Sequence, residues 1–309
     1  MHTWPIARYR FDFDVQSPIR LPEYAGSMLR GAFGNALRRT ACMTRETDCK
    51  ACPLYRSCSY PAIFETPAPE THALQKFSQI PNPYIIEPPP WGEHVYQVGE
   101  RLSFTLVLIG RAIEQLPLIT FAWQRAFKQE VGRGTAVLHD VHHLGPSSKN
   151  SVFDTTRNLI IAHDAQLHLP AEVPGDTFIL NFHTPLRLQE NGHALSPDRL
   201  TARDLLMALA RRTSLLMELH TGQSAGLNFA ELASLAPHVP FTHELTWRDW
   251  TRFSSRQQQS MQLGGATGRW TLRDVPLSFH SLLQVGQWLH IGKNATFGLG
   301  GYSIGAATV

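Results

Sequence analysis

Residues 4–15 set the terms for the rest of the chain. Ile6, Tyr9, Phe11 and Phe13 alternate with Arg8, Arg10, Asp12 and Asp14, the two-residue period of a strand with one apolar and one charged face. Such a strand needs a second layer over its apolar side. The next segment offers one. Pro22 opens a helical pattern over residues 24–41, with Met28, Leu29, Phe33 and Leu37 at helical spacing and Arg30, Arg38 and Arg39 on the other face. A Pro-rich passage, 61–90, reads as loop with a strand at 83–87. RLSFTLVLIG at 101–110 is a clear strand. Residues 111–130 form a helix whose first turns Pro117 makes irregular, and Gly132 and Gly134 end it before a further strand, TAVLHDVHHL. The first half is therefore an α+β unit, with strands and helices in alternation.

The second half repeats this outline. Strands at 158–169 and 177–184 precede a helix at 201–220, residues 237–275 hold a hairpin, and a helix at 278–287 leads into a glycine-rich end. With 309 residues, two domains of moderate size are expected, 1–147 and 148–309, parted by the loop near Gly145–Asn150. The 43% hydrophobic content excludes a disordered chain, and no apolar run approaches a membrane span. The N-terminus lacks the apolar core of a signal peptide, so a cytoplasmic protein is expected. A net charge of +3 decides little, but 23 of the 28 basic residues are arginine, whose planar fork grips phosphate with two bonds. High genomic GC content produces the same bias.

All four cysteines fall within 17 residues: Cys42, Cys49, Cys52 and Cys58, spaced C-x6-C-x2-C-x5-C. Clustered thiols in a cytoplasmic chain point to metal rather than to disulfides. Four thiolates suit a closed, structural zinc site, and an iron–sulfur cluster makes the same demand. The expectation is an insertion at 42–60 stapled by a metal. Near the other end, residues 292–301 read GKNATFGLGG. Glycines let backbone amides approach phosphate closely, and Lys293 adds a charge, but the order fits neither a P-loop nor a dinucleotide-binding turn. Between the two, residues 247–273 interleave Trp247, Trp250, Phe253 and Trp270 with Arg248, Arg252, Arg256, Arg269 and Arg273, a mixture suited to stacking on bases and pairing with phosphates.

Four stretches then carry a resemblance: LPEYAGSMLRGAFGNALRRTAC at 21–42 running into CKACPLYRSCSY, GERLSFTLVLIGRA at 99–112, LTWRDWTRFSSRQQQSMQLGGATG at 245–268, and LHIGKNATFGLGGYSI at 289–304. The chain resembles the CRISPR-associated pre-crRNA processing endoribonucleases of the RAMP superfamily, in the branch with an N-terminal cysteine cluster. The resemblance implies tandem ferredoxin-like βαββαβ domains. It also implies cleavage of CRISPR repeat RNA with no metal at the scissile bond: the ribose 2′-hydroxyl attacks the adjacent phosphate and leaves a 2′,3′-cyclic phosphate. Other Cas subunits of an effector complex are expected partners, and no membrane is.

Such a reaction needs proton-transfer groups and cations for the phosphorane. The superfamily often places a histidine on or beside the first helix, and here that helix has none. Catalytic candidates are His290, beside the glycine segment, with Tyr24 and Arg38; His139, His142 and His143 form a weaker cluster. Candidate RNA contacts are Arg30, Arg39, Arg248, Arg252, Arg256, Gly292, Lys293, Gly298, Gly300 and Gly301. Two other readings stay open: a non-catalytic RAMP subunit that binds crRNA and scaffolds an effector, and a zinc-bearing adaptor with no RNA partner.

Overall fold

The computed structural model describes residues 2–69, 80–170, 175–254 and 259–305. Its contacts divide the chain into two units: residues 5–167 with 219–222, and residues 1–4, 168–218 and 223–309.

In the first unit the alternating segment is strand β1 (Ile6–Val15), followed by helices α1 (Gly26–Ala41) and α2 (Ser59–Phe64) and by β2 (Tyr84–Glu87). Then come β3 (Arg101–Ile109), α3 (Leu116–Gln129), β4 (Ala136–Leu144) and the short β5 (Lys149–Ser151). The sheet order is β2-β3-β1-β4-β5, antiparallel throughout. With β5 set aside, the βαββαβ chain order and the spatial order 4-1-3-2 are those of a ferredoxin-like fold. The unit extends past residue 147 because it includes the small pair Phe153–Asp154 and Leu159–Ile160.

The apolar side of β1 packs against α1 and α3. Phe33 of α1 stacks on Trp123 of α3 at 5.0 Å between centroids, Phe11 stacks on Phe104 of β3, and Phe13 meets Phe127 at 4.1 Å. As Pro117 demands, the chain runs as a 3-10 helix over Gly110–Gln115 before α3, with the proline in the first turn where no amide bond is lost.

The other side of β1 is a ladder of charges. Arg8 pairs with Glu87 at 2.8 Å, Arg10 with Asp12 at 2.7 Å, and Arg101 with Asp14 at 2.7 Å. On β4 an extra residue, His139, bulges between the Asp12–Asp140 and Phe13–Leu138 pairs, and its ring reaches Asp14. His142 lies between two carboxylates, 3.3 Å from Asp12 and 3.2 Å from Asp140. The three histidines on β4 therefore divide: His139 and His142 join the ladder, whereas His143 tilts against Tyr9 and His163 on the opposite side.

In the second unit, β6 (Phe178–Leu186) and α4 (Ala202–Thr221) are followed by a short α5 (Phe229–Leu235), then β7 (Phe241–Arg248) and a hairpin, β8 (Thr251–Ser254) and β9 (Gln259–Gln262). After it come β10 (Gly265–Leu272), α6 (Leu277–Leu289) and β11 (Tyr302–Gly305). The sheet order β7-β10-β6-β11 is again 4-1-3-2. Trp270, Phe279, Leu282, Leu283 and Tyr302 fill its core. Tyr302 donates to the Leu283 carbonyl at 2.6 Å, and its hydroxyl occupies the space where a side chain at Gly286 would stand.

Two sequence expectations differ from the structure. Residues 158–169 form only two short pieces, Leu159–Ile160 and Leu167–Leu169, because the side chains between them turn the backbone: His163 Nδ1 donates to the Ile161 carbonyl and Asp164 accepts from the Gln166 amide. Helix α5 was unforeseen, yet Asn228-x-x-Glu231 is a capping signal, and the Asn228 side chain does accept from the Glu231 amide.

Asp12 is 2% exposed. Burial pushes its pKa up, but hydrogen bonds from Ser103 and Arg10 and the charges of Arg10 and His142 more than offset this and hold it below the ordinary 3.8. A carboxylate lowered in the fold contributes stability above its unfolded pKa and loses it as pH falls through the folded value. Urea midpoints of the wild type are expected to drop below about pH 4. Asp12→Asn should be less stable at pH 7, and its deficit should shrink towards pH 2.

Candidate functional site

The first candidate region is the chain between α6 and β11. His290 ends α6 at φ 55° and ψ 166°, a positive-φ, extended-ψ backbone that costs a residue with a β-carbon about 1–3 kcal/mol. Strain of this kind persists only where the surroundings enforce it, and it gathers at functional sites. Here the enforcement is visible. The His290 amide donates to Gly286, and its Nδ1 donates to the Leu299 carbonyl at 3.2 Å. The ring is 1% exposed.

The glycines serve the turn itself. At Gly300, φ is 70° and a β-carbon would overlap the Ile291 carbonyl. The amides of Gly298, Gly300 and Gly301 are already bonded, to the Ala295 and Pro185 carbonyls and the Thr184 hydroxyl. They are buried, so these glycines close a loop onto β6 rather than present donors outward. Gly292 bridges Arg187 with φ at 88°, and Lys293, whose amide donates to the Arg187 carbonyl, keeps an exposed side chain.

Gly301 is the meeting point. A β-carbon there would lie 2.8 Å from His290 Cε1, 2.9 Å from His183 Nε2 and 3.1 Å from Thr184 Oγ1. The missing side chain thus makes room for two imidazoles. His183 comes from the irregular end of β6, where the register shifts between Phe182 and Leu186, and it is exposed. Behind the turn, Arg212 of α4 donates from Nε to the Leu289 carbonyl at 2.7 Å and caps the negative end of α6. Burial lowers its pKa to about 10, which leaves it charged at neutral pH.

Sequence reasoning identified His290 and the glycines but passed over His183. The signal was the sequence His183-Thr184-Pro185, where a proline inside a strand pattern marks an irregularity.

The other candidates divide between the two units. Tyr24 and Arg38 belong to the first unit and His290 to the second. Tyr24 is a core residue, 3% exposed and packed on Trp91 at 4.7 Å, and burial raises its hydroxyl well above the ordinary value. Arg38 donates to the carbonyls of Glu46 and Thr47, which ties the cysteine segment to α1. Arg30 lies over the Phe64 ring at 4.3 Å. Beside it, burial pushes the Tyr84 hydroxyl up to about 12 while the Arg30 charge pulls it back. Arg39 donates to Gln129 at 2.8 Å and is exposed, as is Arg248 at the end of β7. Arg252 lies on β8, and Arg256 falls outside the described residues. Of the tryptophans, Trp247 is exposed and bonded to Asp249, whereas Trp250 and Trp270 are buried and offer no face to a base.

The four cysteines are unpaired by disulfide, half-buried, and line a single cavity of about 190 Å3. Burial raises the Cys49 thiol, Arg38 lowers it, and Cys42 and Cys58 are near enough to raise it further. Among the described residues, no three of His, Cys, Asp and Glu stand together in a metal-holding arrangement.

Two ferredoxin-like units in tandem, the second closed by a glycine-rich turn, are the arrangement that the resemblance to RAMP proteins implies. Residues 4–165, just over half of the chain, match the family model of the AF_1859 N-terminal domain, and residues 180–302 match that of the CRISPR-associated endoribonuclease Cas6. Through its first half the chain belongs to the family of the AF_1859 N-terminal domain, and its second half is similar to the CRISPR-associated endoribonuclease Cas6. An uncharacterized protein of Archaeoglobus fulgidus is 24% identical over 293 residues, 92% of each chain. Among solved structures, a Cas6 product complex aligns with TM-score 0.57 and 14% identity over 97% of this chain and 99% of that one. A Thermus thermophilus Cas6 aligns with TM-score 0.52 and 14% identity over 98% and 99%. A partial Cas6-RT-Cas1–Cas2 complex aligns with TM-score 0.56 and 13% identity, over 98% of this chain and 46% of the other. At these identities the likeness concerns the fold.

Because Gly300 combines a left-handed backbone with direct overlap, Gly300→Ala is expected to destabilise the protein by about 2–4 kcal/mol, read from urea denaturation.

Proposed function

We propose that the chain binds CRISPR repeat RNA and cuts precursor crRNA by attack of a ribose 2′-hydroxyl on the neighbouring phosphate, with no metal ion at the scissile bond. The reading is carried by the two imidazoles that meet over Gly301, within the segment that matches Cas6. The cut requires removal of the 2′-proton, protonation of the leaving 5′-oxygen and neutralisation of charge on the phosphorane. Imidazole transfers protons near neutral pH, and His183 is exposed to do so. Lys293, exposed at the same turn, supplies a cation for the phosphate. His290, buried behind His183 and held by Leu299, is a positioning residue. Arg39 and Arg248, both exposed, are available to backbone phosphates. The protein would work in the cytoplasm, and further Cas subunits are its expected partners.

The second reading is a subunit that binds crRNA without cutting it. It is favoured by α1, which carries no histidine and whose Arg30 and Arg38 are engaged within the protein.

Purified protein should cut its cognate repeat RNA in EDTA and leave a 2′,3′-cyclic phosphate. His183→Ala should slow the cut by about 10²–10⁴-fold while RNA affinity is retained. Wild-type cutting by that variant removes His183 from the mechanism, and a strict need for added divalent metal removes the mechanism itself. RNA bound tightly but left intact under all conditions establishes the scaffold reading.

A further inference from the structure

The cysteine segment has a construction that RNA cleavage does not call for. Each thiol sits at the end of a helical element: Cys42 follows α1, Cys49 opens and Cys52 closes a single 3-10 turn, and Cys58 caps α2. All four cysteines line one cavity.

The surrounding polar groups are arranged around sulfur. Arg45, at φ 59°, turns the chain so that its amide donates to Cys42 Sγ at 3.2 Å. Thr44 Oγ1 lies 3.3 Å from Cys52 Sγ. Donors aimed at sulfur stabilise a thiolate more than a thiol, and they are the kind of outer contact that orients metal ligands.

Little else holds the segment. Residues 43–48 are exposed, Met43 at 82%, and only Cys49 and Cys58 of the four cysteines pack against the core of the first unit. A short segment without its own core needs a cross-link, and the thiols form no disulfide. The guanidinium of Arg38 holds the loop from one side through the Glu46 and Thr47 carbonyls. On the thiol side the loop is held by the Arg45 amide on Cys42 Sγ and by Thr44 against Cys52 Sγ.

We propose that Cys42, Cys49, Cys52 and Cys58 bind one zinc ion, which fastens the end of α1 to the start of α2. The ion draws the thiols together across the cavity they already share, and four protons pass to solvent as the four thiolates form. With all positions taken by sulfur the site is structural. Lys50 and Arg56, both exposed on the same segment, and Arg38 of α1, bonded to its Glu46 and Thr47 carbonyls, are there to balance the net negative charge of such a centre.

The test uses the full chain, expressed in zinc-replete medium and purified under reducing conditions. Elemental analysis should find one zinc per chain and a colourless protein, and zinc should be released when the thiols are titrated with a mercurial. Cys49→Ser should lower the zinc content to near zero. Should that variant fail to fold, wild-type protein stripped with a chelator and titrated with cobalt(II) should show the visible bands of a tetrahedral thiolate complex, saturating at one ion per chain. No bound zinc together with no cobalt bands overturns the proposal. So does a brown protein containing acid-labile sulfide, which identifies an iron–sulfur cluster. RNA cleavage is not the readout, so failure here leaves the reading of the second unit standing, and the reverse holds as well.

Discussion

The first unit depends on β1 lying between β3 and β4. A central strand in an antiparallel sheet has both edges committed to neighbours, and what remains to be settled is its two faces, one against the core and one toward solvent. Phe11 and Phe13 are covered by the aromatic cluster around Phe104, Trp123 and Phe127. On the other face, Asp12 is nearly removed from water, which is tolerable only because Arg10, Ser103 and His142 surround it. The charged face is thus a closed network with matched partners, not an idle solvent surface. Histidines 139 and 142 belong to that network, which explains their clustering without recourse to catalysis.

The second unit solves the same topology differently. Its last crossing, from α6 to β11, is made in a dozen residues that turn back on themselves through several left-handed positions. The turn is held where the amides of His290, Ile291, Lys293, Gly298 and Gly300 find carbonyls and that of Gly301 finds the Thr184 hydroxyl. At Gly301 the missing side chain leaves space for two imidazoles. Glycine content in this segment therefore reports backbone geometry first, and only through that geometry the placement of His183 and His290.

Much of the architecture was legible. The periods of two and 3.6 marked the sheet strands and the long helices to within a few residues, and Pro117 located the irregular entry to α3. The site was less legible. His290 was visible because it adjoins the glycines, but its burial was not, since local sequence does not say which layer will cover a helix end. His183 was passed over because it lies about a hundred residues earlier, and only the β6–β11 pairing brings it to the turn. Arg30 and Arg38 read as an exposed face of α1, yet α2 and the cysteine segment fold back over that face and engage them, while Tyr24 packs on Trp91.

Taken alone, the amino-acid order determines two α+β units, their element sequence and the close spacing of four thiols, because these depend on local periodicity and neighbouring residues. The tertiary structure decided the 4-1-3-2 strand order in both units, which requires pairing between segments far apart in the chain. It decided, too, which histidines are spent on the Asp12 network and which face the turn, since that follows from a one-residue bulge in β4 and a register shift in β6. And it decided that the four cysteines share one cavity, because that depends on where α1 ends relative to the start of α2.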